Sequence, residues 1–384
     1  MSRILVVATG GAGGDLQPLI AVAAALRARG HEIVVLGDPA VGNAVSTLDV
    51  AVEMLPPELD LGPRLIQAIR DAIAQSEGDM ARAGAVVGQR LGEWAADVAR
   101  PVAAAVEHHA ADTVITSLFG VEVVDTARPS CPWVVVNSTF YVGPNPPRPL
   151  GEDFDPRALP LVTRYAALLD STSLVIHGTD QVFDMGFDGL PPRHHYAGPL
   201  GTWEPPSTAP GYLDEPGDPW VLVSISSQLQ DDIPVAEMAL EALADRPVRV
   251  LVTLGPGHGR DELSTIPSNA RVEGTVAHAA VLQRSVLFVG HAGHGSVMKA
   301  LWHGRPMVLV PWGRDQPGVA ARAQALGVAE VVPCQEATGE TLGAAIDRAL
   351  TSQAIHERCA REAARLQRTD PPGTAAGLVE TLLT

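Results

Sequence analysis

What most narrows the fold is an alternation that runs through the chain, breaks once and starts again. Short β-branched runs trade places with longer alanine- and leucine-rich stretches, as expected of βα units whose parallel sheets are covered on both faces. In the first half, strands are expected at Ile4 to Val7, Ile33 to Leu36, Val50 to Met54, Thr113 to Thr116, Trp133 to Val136 and Leu174 to Ile176, with helices at Leu19 to Arg29, Pro63 to Ala74, Asp79 to His108 and Arg157 to Leu168. The second half supplies strands at Val221 to Ile225, Val248 to Leu254, Val286 to Val289 and Met307 to Val310. Between them, Pro199 to Pro219 is rich in proline and glycine and periodic in neither sense, so it reads as a linker. The fold class is α/β, with domains at 1–200 and 220–368, a connector at 201–219, and a terminal helix at 369–384 that could return to the first domain. Ligands in such open sheets bind outside the carboxyl ends of the strands, which here face a shared crevice.

With 44 acidic against 27 basic residues and a net charge of -17, the chain repels phosphate backbones and anionic membranes, and no basic stripe offsets this. Nucleic acid is not expected as a partner. Three cysteines (Cys131, Cys334 and Cys359), an odd number with no paired spacing, argue for a reducing compartment and against both a disulfide framework and a cysteine zinc site. The short apolar run before Gly10 is no secretory signal, and no stretch of apolar residues is long enough to span a bilayer. A cytoplasmic protein without a membrane span is expected.

The sharpest segment is Val289-Gly-His-Ala-Gly-His-Gly-Ser-Val-Met-Lys-Ala-Leu-Trp-His-Gly-Arg-Pro, a strand, a glycine-rich turn and a short helix closed by Gly304 and Pro306. Gly293 and Gly295 let a ligand approach the backbone, and the free amides at the helix start favour an anion. Ser296 can cap or donate, and His291 can donate to a phosphate oxygen. The other reading of these residues is a tight turn carrying two surface histidines. Metal binding by His291 and His294 lacks a carboxylate or cysteine to complete the set. Asp315 and Gln316, before Pro317, could simply be polar residues at a helix start.

Position by position, this stretch resembles the nucleotide-sugar signature of the GT-B glycosyltransferases that act on small molecules. The resemblance covers essentially the whole chain. Val276-Ala-His-Ala-Ala-Val-Leu stands where that family contacts the base, and Asp315-Gln316 match its pair that hydrogen-bonds sugar hydroxyls. Ser227, after Val221-Leu-Val-Ser-Ile-Ser, matches a diphosphate-contacting hydroxyl. The family therefore implies a donor site of Ser227, Val276, His291, Gly293, His294, Gly295, Ser296, Asp315 and Gln316.

In the first domain, Ile4-Leu-Val-Val-Ala-Thr-Gly-Gly-Ala-Gly-Gly-Asp resembles the family's opening strand and loop, with one departure. Many relatives have a catalytic histidine where this chain has Asp15, as in the Gly-Asp version of glycopeptide- and sterol-modifying members. Asp15 is thus the candidate base. The carboxylate that orients the histidine would fall near Ser117, where none exists. If Pro18 opens the helix, Gln17 and not Asp15 occupies the cap; a helix starting two residues earlier would make Asp15 the cap.

The implied reaction is inverting transfer of a hexose or deoxyhexose from a nucleoside diphosphate sugar to a hydroxyl of an aromatic, polyketide or similar natural product. No metal and no permanently bound cofactor are expected. With a free aspartate near ~3.9, lowered further by helix amides, Asp15 would be a weak base and proton transfer late. Thr275 replaces a base-stacking tryptophan of many relatives, and Lys299 replaces a ribose-binding glutamate of plant members, which tilts the donor toward dTDP over UDP. The acceptor pocket is expected from Pro56 to Gly92 and Thr139 to Pro156, with Phe119, Phe140 and Tyr141 as candidate acceptor contacts. Alternatives are a nucleotide-sugar epimerase, a cell-wall precursor transferase or a catalytically silent binder of the same fold. A dinucleotide-binding oxidoreductase fails because Leu16 occupies the position of the fingerprint's third glycine.

Overall fold

A computed structural model of the chain describes residues 1–8, 14–76, 80–141, 167–205, 208–227, 230, 232–255 and 258–383. The first lobe contains β1 (Arg3–Ala8), α1 (Leu16–Ala28), β2 (Glu32–Gly37), α2 (Pro39–Ala44), β3 (Ala51–Met54), α3 (Leu61–Ser76), α4 (Met80–His108), β4 (Thr113–Ser117), α5 (Val121–Ala127), β5 (Trp133–Asn137), β6 (Leu174–His177) and β7 (His194–Tyr196). Its seven strands pair in parallel in the order β3-β2-β1-β4-β5-β6-β7.

The second lobe contains β8 (Trp220–Ser224), α6 (Ile233–Leu243), β9 (Arg249–Thr253), β10 (Ala270–Glu273), α7 (His278–Leu282), β11 (Ser285–Gly290), α8 (His294–Trp302), β12 (Met307–Leu309), α9 (Gln316–Ala325), β13 (Ala329–Val331), α10 (Gly339–Thr351) and α11 (Gln353–Leu366), after which the chain forms α12 (Pro371–Glu380). Its sheet is also parallel, in the order β10-β9-β8-β11-β12-β13.

The strands read as continuous apolar runs because both faces are covered. Along β1, Leu5 and Val7 meet Trp94, Val98 and Val102 of α4, while Ile4, Val6 and Ala8 meet Leu19, Val22 and Leu26 of α1. Each aliphatic side chain so buried contributes about 1.5–3 kcal/mol. In the second lobe, Leu222 and Phe288 face one layer and Val221, Val223 and Val289 the other.

The connector is tied down throughout its described length. Leu200 and Leu213 are buried in 3₁₀ turns at Leu200–Thr202 and Gly211–Asp214. Trp220 Nε1 donates to the Leu213 carbonyl at 3.3 Å, and Arg249 stacks on the Trp220 ring at 4.4 Å. At the far end, Asp370 caps α12 through Gly373 N at 3.0 Å, and Ala375, Ala376 and Val379 enter the apolar layer of α1. Glu380 joins both Arg29 (2.7 Å) and His31 (3.1 Å). Helix α12 thus packs on the first lobe.

The first segment expected to wall the acceptor pocket carries the helices expected at Pro63 to Ala74 and Asp79 to His108. Pro56 to Gly92 forms a 3₁₀ turn, α3 and the start of α4, apart from residues 77–79, which lie outside the described residues. The helices form because Leu61 and Ala68 on one and Leu91 and Trp94 on the other bury their apolar faces, and Trp94 Nε1 fixes the preceding turn through the Leu59 carbonyl at 2.8 Å. Of the loop expected over Thr139 to Pro156, residues beyond Tyr141 lie outside the described residues, as does most of the helix expected at Arg157 to Leu168.

Candidate active site

In each sheet the strand order reverses direction at one place, between β1 and β4 and between β8 and β11, the kind of place where open parallel sheets bind ligands. Asp15 follows β1, Phe119 follows β4, Ser227 follows β8 and His291 follows β11.

Asp15 sits at the N-cap position of α1, because the helix begins at Leu16, ahead of Pro18. Its backbone is helical (φ -74, ψ -26) and its side chain makes no cap bond. The carboxylate accepts instead from the Ser138 hydroxyl, at the end of β5, and from the Phe119 amide. Asp15 Oδ2 has no hydrogen-bond partner among the described residues. Burial, and then the Asp315 carboxylate of the opposite lobe, push the Asp15 pKa up to about 8 against a smaller lowering by the Phe119 amide. The expected weak base is therefore corrected. Helix amides do not hold the ionised form, and a neighbouring like charge opposes it.

The turn after β11 places its strain where the sequence did not suggest. Ala292, fully buried, takes the left-handed φ of 68°, while Gly293 is extended (φ -62, ψ 131). Gly293 serves a different need: a Cβ there would stand 2.5 Å from His291 Nε2. Having no side chain, Gly293 leaves the amides of His294, Gly295 and Ser296 uncapped at the start of α8, and a Cβ on Gly295 would enter open space. Ser296 is half-buried beside them.

His291 is buried, with Nδ1 3.2 Å from the Ser224 carbonyl and 4.0 Å from Asp232 Oδ2. Both neighbours accept, so Nδ1 carries the proton and Nε2 faces the turn. Burial lowers the His291 pKa; Asp232 and the Ser224 carbonyl oppose that. Asp232 also accepts from Ser226 N at 2.8 Å and Gln230 Nε2 at 3.0 Å, fixing the backbone on which exposed Ser227 lies.

Two donor-side expectations change. The His294 ring crosses to the first lobe, where Nε2 lies 2.9 Å from Thr179 Oγ1 and the ring meets Phe183 edge-on, so this histidine offers a ligand its backbone amide and not its imidazole. Burial lowers its pKa to about 4. Gln316 Oε1 accepts from Trp312 N (2.9 Å) and Gly313 N (3.0 Å), and Nε2 donates to Gln230 (2.9 Å). Its amide shapes the loop before α9, while the half-buried Asp315 makes no side-chain cap and lies near enough to Asp15 for its charge to raise that carboxyl's pKa.

Val276 is half-buried against the apolar layer ahead of α7. The start of α7 is capped from the connector: Glu204 accepts from His278 N and Ala279 N, both at 3.1 Å, and pairs with Lys299 at 2.5 Å. Lys299 is thus neutralised within the protein.

On the acceptor side, Phe119 remains half-buried beside Asp15. Phe140 and Tyr141 do not line a pocket. Phe140 is 1% exposed beneath the Arg322 guanidinium (3.9 Å), and Tyr141 is 0% exposed, stacked on Phe187 and edge-on to His177 and His194. Phe140 is thus covered by a guanidinium from the other lobe, and Tyr141 by aromatic rings of its own lobe. Sequence reading missed Ser138, Asp232, Gln230 and Glu204. Each is a common polar residue whose role depends on a partner 2 to 123 positions away. Among the described residues no cluster of three or more His, Cys, Asp or Glu could hold a metal, and no helix is long and apolar enough to cross a membrane.

Residues 237–381 match the erythromycin biosynthesis protein CIII-like C-terminal domain, and residues 5–74 the glycosyltransferase family 28 N-terminal domain. Demethyllactenocin mycarosyltransferase of Streptomyces fradiae is 32% identical over 50% of this chain but only 41% of its own length. 4'-Demethylrebeccamycin synthase of Lentzea aerocolonigenes is 27% identical over 84% of this chain and 85% of its own. The solved calicheamicin glycosyltransferase superposes with a TM-score of 0.70 at 21% identity, covering 100% of this chain and 98% of that one. The glycotransferase of kitacinnamycin gives 0.73 at 22%, covering 100% and 99%.

Proposed function

We infer, for a chain that belongs to the natural-product glycosyltransferases of the GT-B type, that it is an inverting enzyme moving a hexose or deoxyhexose from a nucleoside diphosphate sugar to a hydroxyl of a small natural product. One observation carries this reading: a buried carboxylate of the first lobe, Asp15, faces the second lobe closely enough for Asp315 to raise its pKa, and Asp315 lies on the same lobe as the uncapped amides of 294–296. A base and an anion cradle thus border one crevice.

The acceptor hydroxyl attacks the anomeric carbon on the face away from the diphosphate. Its oxygen forms the new C–O bond as the sugar–phosphate C–O bond breaks, Asp15 takes its proton, and the diphosphate leaves with the bonding pair. In this reading the amides of His294 to Ser296, the His291 imidazole and the Ser227 hydroxyl meet that charge, and Asp315 accepts from a sugar hydroxyl. A base at about 8 takes the proton from a developing oxonium more readily than a free carboxylate does, so transfer need not wait for the end of the reaction.

A thymidine donor is favoured. Lys299 is held by Glu204, so this helix position offers no carboxylate to ribose hydroxyls, and the neighbour VinC was solved with dTDP. A deoxyhexose accords with the relative named O-mycaminosyltylonolide 6-deoxyallosyltransferase, 26% identical over 92% of this chain. The test is a donor screen against phenolic and polyketide acceptors, read by mass on the wild type and Asp15→Asn. One sugar should be added by the wild type, and the variant should lose turnover while keeping donor affinity. Full turnover by Asp15→Asn would refute the assignment.

A further inference from the structure

The segment Thr179–Asp184, which leaves β6 of the first lobe, is held by three helices of the second. His294 of α8 meets Thr179 at 2.9 Å, Arg365 of α11 grips Asp180 with two nitrogens (2.9 and 2.6 Å), and Arg322 of α9 reaches Asp184 at 2.7 Å. The last pair has both side chains 0% exposed. A buried pair of this kind returns little net stability, because desolvating two charges offsets their attraction; its best-attested use is to fix one register between packed elements.

We propose that Arg322 and Asp184 are positioning residues for the transfer, locking the helix that carries Asp315 to the loop that carries Ser138 and so setting the gap between the base and the sugar-binding wall. Asp184 spends both oxygens on the task. Oδ1 takes Arg322 Nε, and Oδ2 takes Tyr141 N (2.9 Å) and the Tyr196 hydroxyl (2.7 Å). Arg322 also lies flat on Phe140 at 3.9 Å. One end of the lock is therefore the 138–141 loop, whose first residue holds Asp15. That loop is stiffened by Asn137, whose Nδ2 donates to the carbonyls of Thr139 (3.2 Å) and Phe140 (2.9 Å).

The other end is α9. Arg322 is seven residues beyond Asp315, two helical turns and about 10 Å along the axis, so the two residues share one face of the helix. Moving the helix about the Arg322 anchor moves Asp315. The charged neighbours there are Arg314, next to Asp315, and His291 and Asp232 behind it; Asp15 itself faces Asp315, the Ser138 hydroxyl and the Phe119 amide.

This inference rests on Asp15 being the base, and the experiment separates the two. In the full chain, kcat, the donor KM and the pH dependence of kcat/KM are measured for Arg322→Gln, Arg322→Lys, Phe140→Leu and Asp15→Asn. A displacement near 1 Å costs about 100-fold, so Arg322→Gln should lower kcat by about that factor with a much smaller change in donor KM. Its base limb should fall to lower pH as Asp315 withdraws from Asp15. Arg322→Lys, which keeps the charge but not the planar fork, should recover part of both effects. Phe140→Leu, which leaves the ion pair in place, should show the same signs more weakly and serves if Arg322→Gln does not fold. A folded Arg322→Gln, or in its place Phe140→Leu, with an unmoved base limb overturns the proposal, whether or not kcat falls. Wild-type turnover in Asp15→Asn would instead remove the reading on which it rests.

Discussion

Replacing Asp15 by asparagine should make the protein more stable at alkaline pH in the same step that abolishes turnover. The folded chain holds the Asp15 proton up to about pH 8, whereas the unfolded chain releases it near 3.8. A group whose pKa is raised by folding gives its full stability below the unfolded value and loses it as pH climbs to the folded value, so the wild type is penalised progressively between these two limits. At about 1.4 kcal/mol per pH unit, that interval amounts to up to about 6 kcal/mol by pH 8. Asparagine keeps an acceptor for the Ser138 hydroxyl and carries no charge to desolvate or to face Asp315. The assay is urea unfolding of both proteins at half-unit steps from pH 5 to 9. The variant's advantage should grow with pH and level off above about 8, tracking the base limb of wild-type kcat/KM. A difference that stays flat, or that favours the wild type as pH rises, would refute the claim that burial and Asp315 control this carboxyl.

Ser138→Ala removes the hydroxyl that bonds the carboxylate, so the base limb of kcat/KM should move to higher pH, and a downward movement would contradict that geometry. Gly293→Ala places a methyl 2.5 Å from His291 Nε2 and should weaken nucleoside diphosphate binding in calorimetry by about tenfold or more, with the fold intact by circular dichroism. Because Nδ1 of His291 is committed to the Ser224 carbonyl, Nε2 must gain a proton to donate to phosphate; diphosphate binding at pH 8 should then take up a proton, seen as a heat that depends on buffer ionisation and is absent in His291→Gln. Asp370→Ala, which uncaps α12, should cost about 1 kcal/mol in urea unfolding while leaving donor affinity unchanged.

The two parallel sheets were legible because a strand buried on both faces must be apolar at nearly every position, as Ile4 to Ala8 and Val221 to Ser224 are. The reversal points of the sheets then select the loops that matter, and the glycine-rich turn at 290–295 announces itself by composition. What composition could not show is which residue of that turn bears the strain. A glycine count points at Gly293, yet Ala292 adopts the positive φ and Gly293 makes room for an imidazole. The aromatic pair at 140–141 misled for a related reason. An aromatic beside a proline-rich loop looks like a pocket wall, but Phe140 is covered by Arg322 of the other lobe and Tyr141 by the rings of Phe187, His177 and His194, none of them near it in sequence.

The departure at residue 15 follows from the same physics. In many members of the family that this chain resembles, a histidine base is expected to be oriented by an aspartate, which fixes its tautomer and strengthens it as a base. A carboxylate has no tautomer to fix, so the absence of a second carboxylate at Ser117 costs it nothing in orientation; Ser138 supplies that from the next strand. Basicity is the remaining requirement. An ordinary aspartate is some two to three units weaker than an imidazole near ~6.5, and burial together with Asp315 more than closes that gap by lifting Asp15 to about 8. With Asp15 as the proposed base, the environment that strengthens it also keeps it protonated near neutrality, so the reaction should run fastest at mildly alkaline pH, where folding stability is most reduced by the same group.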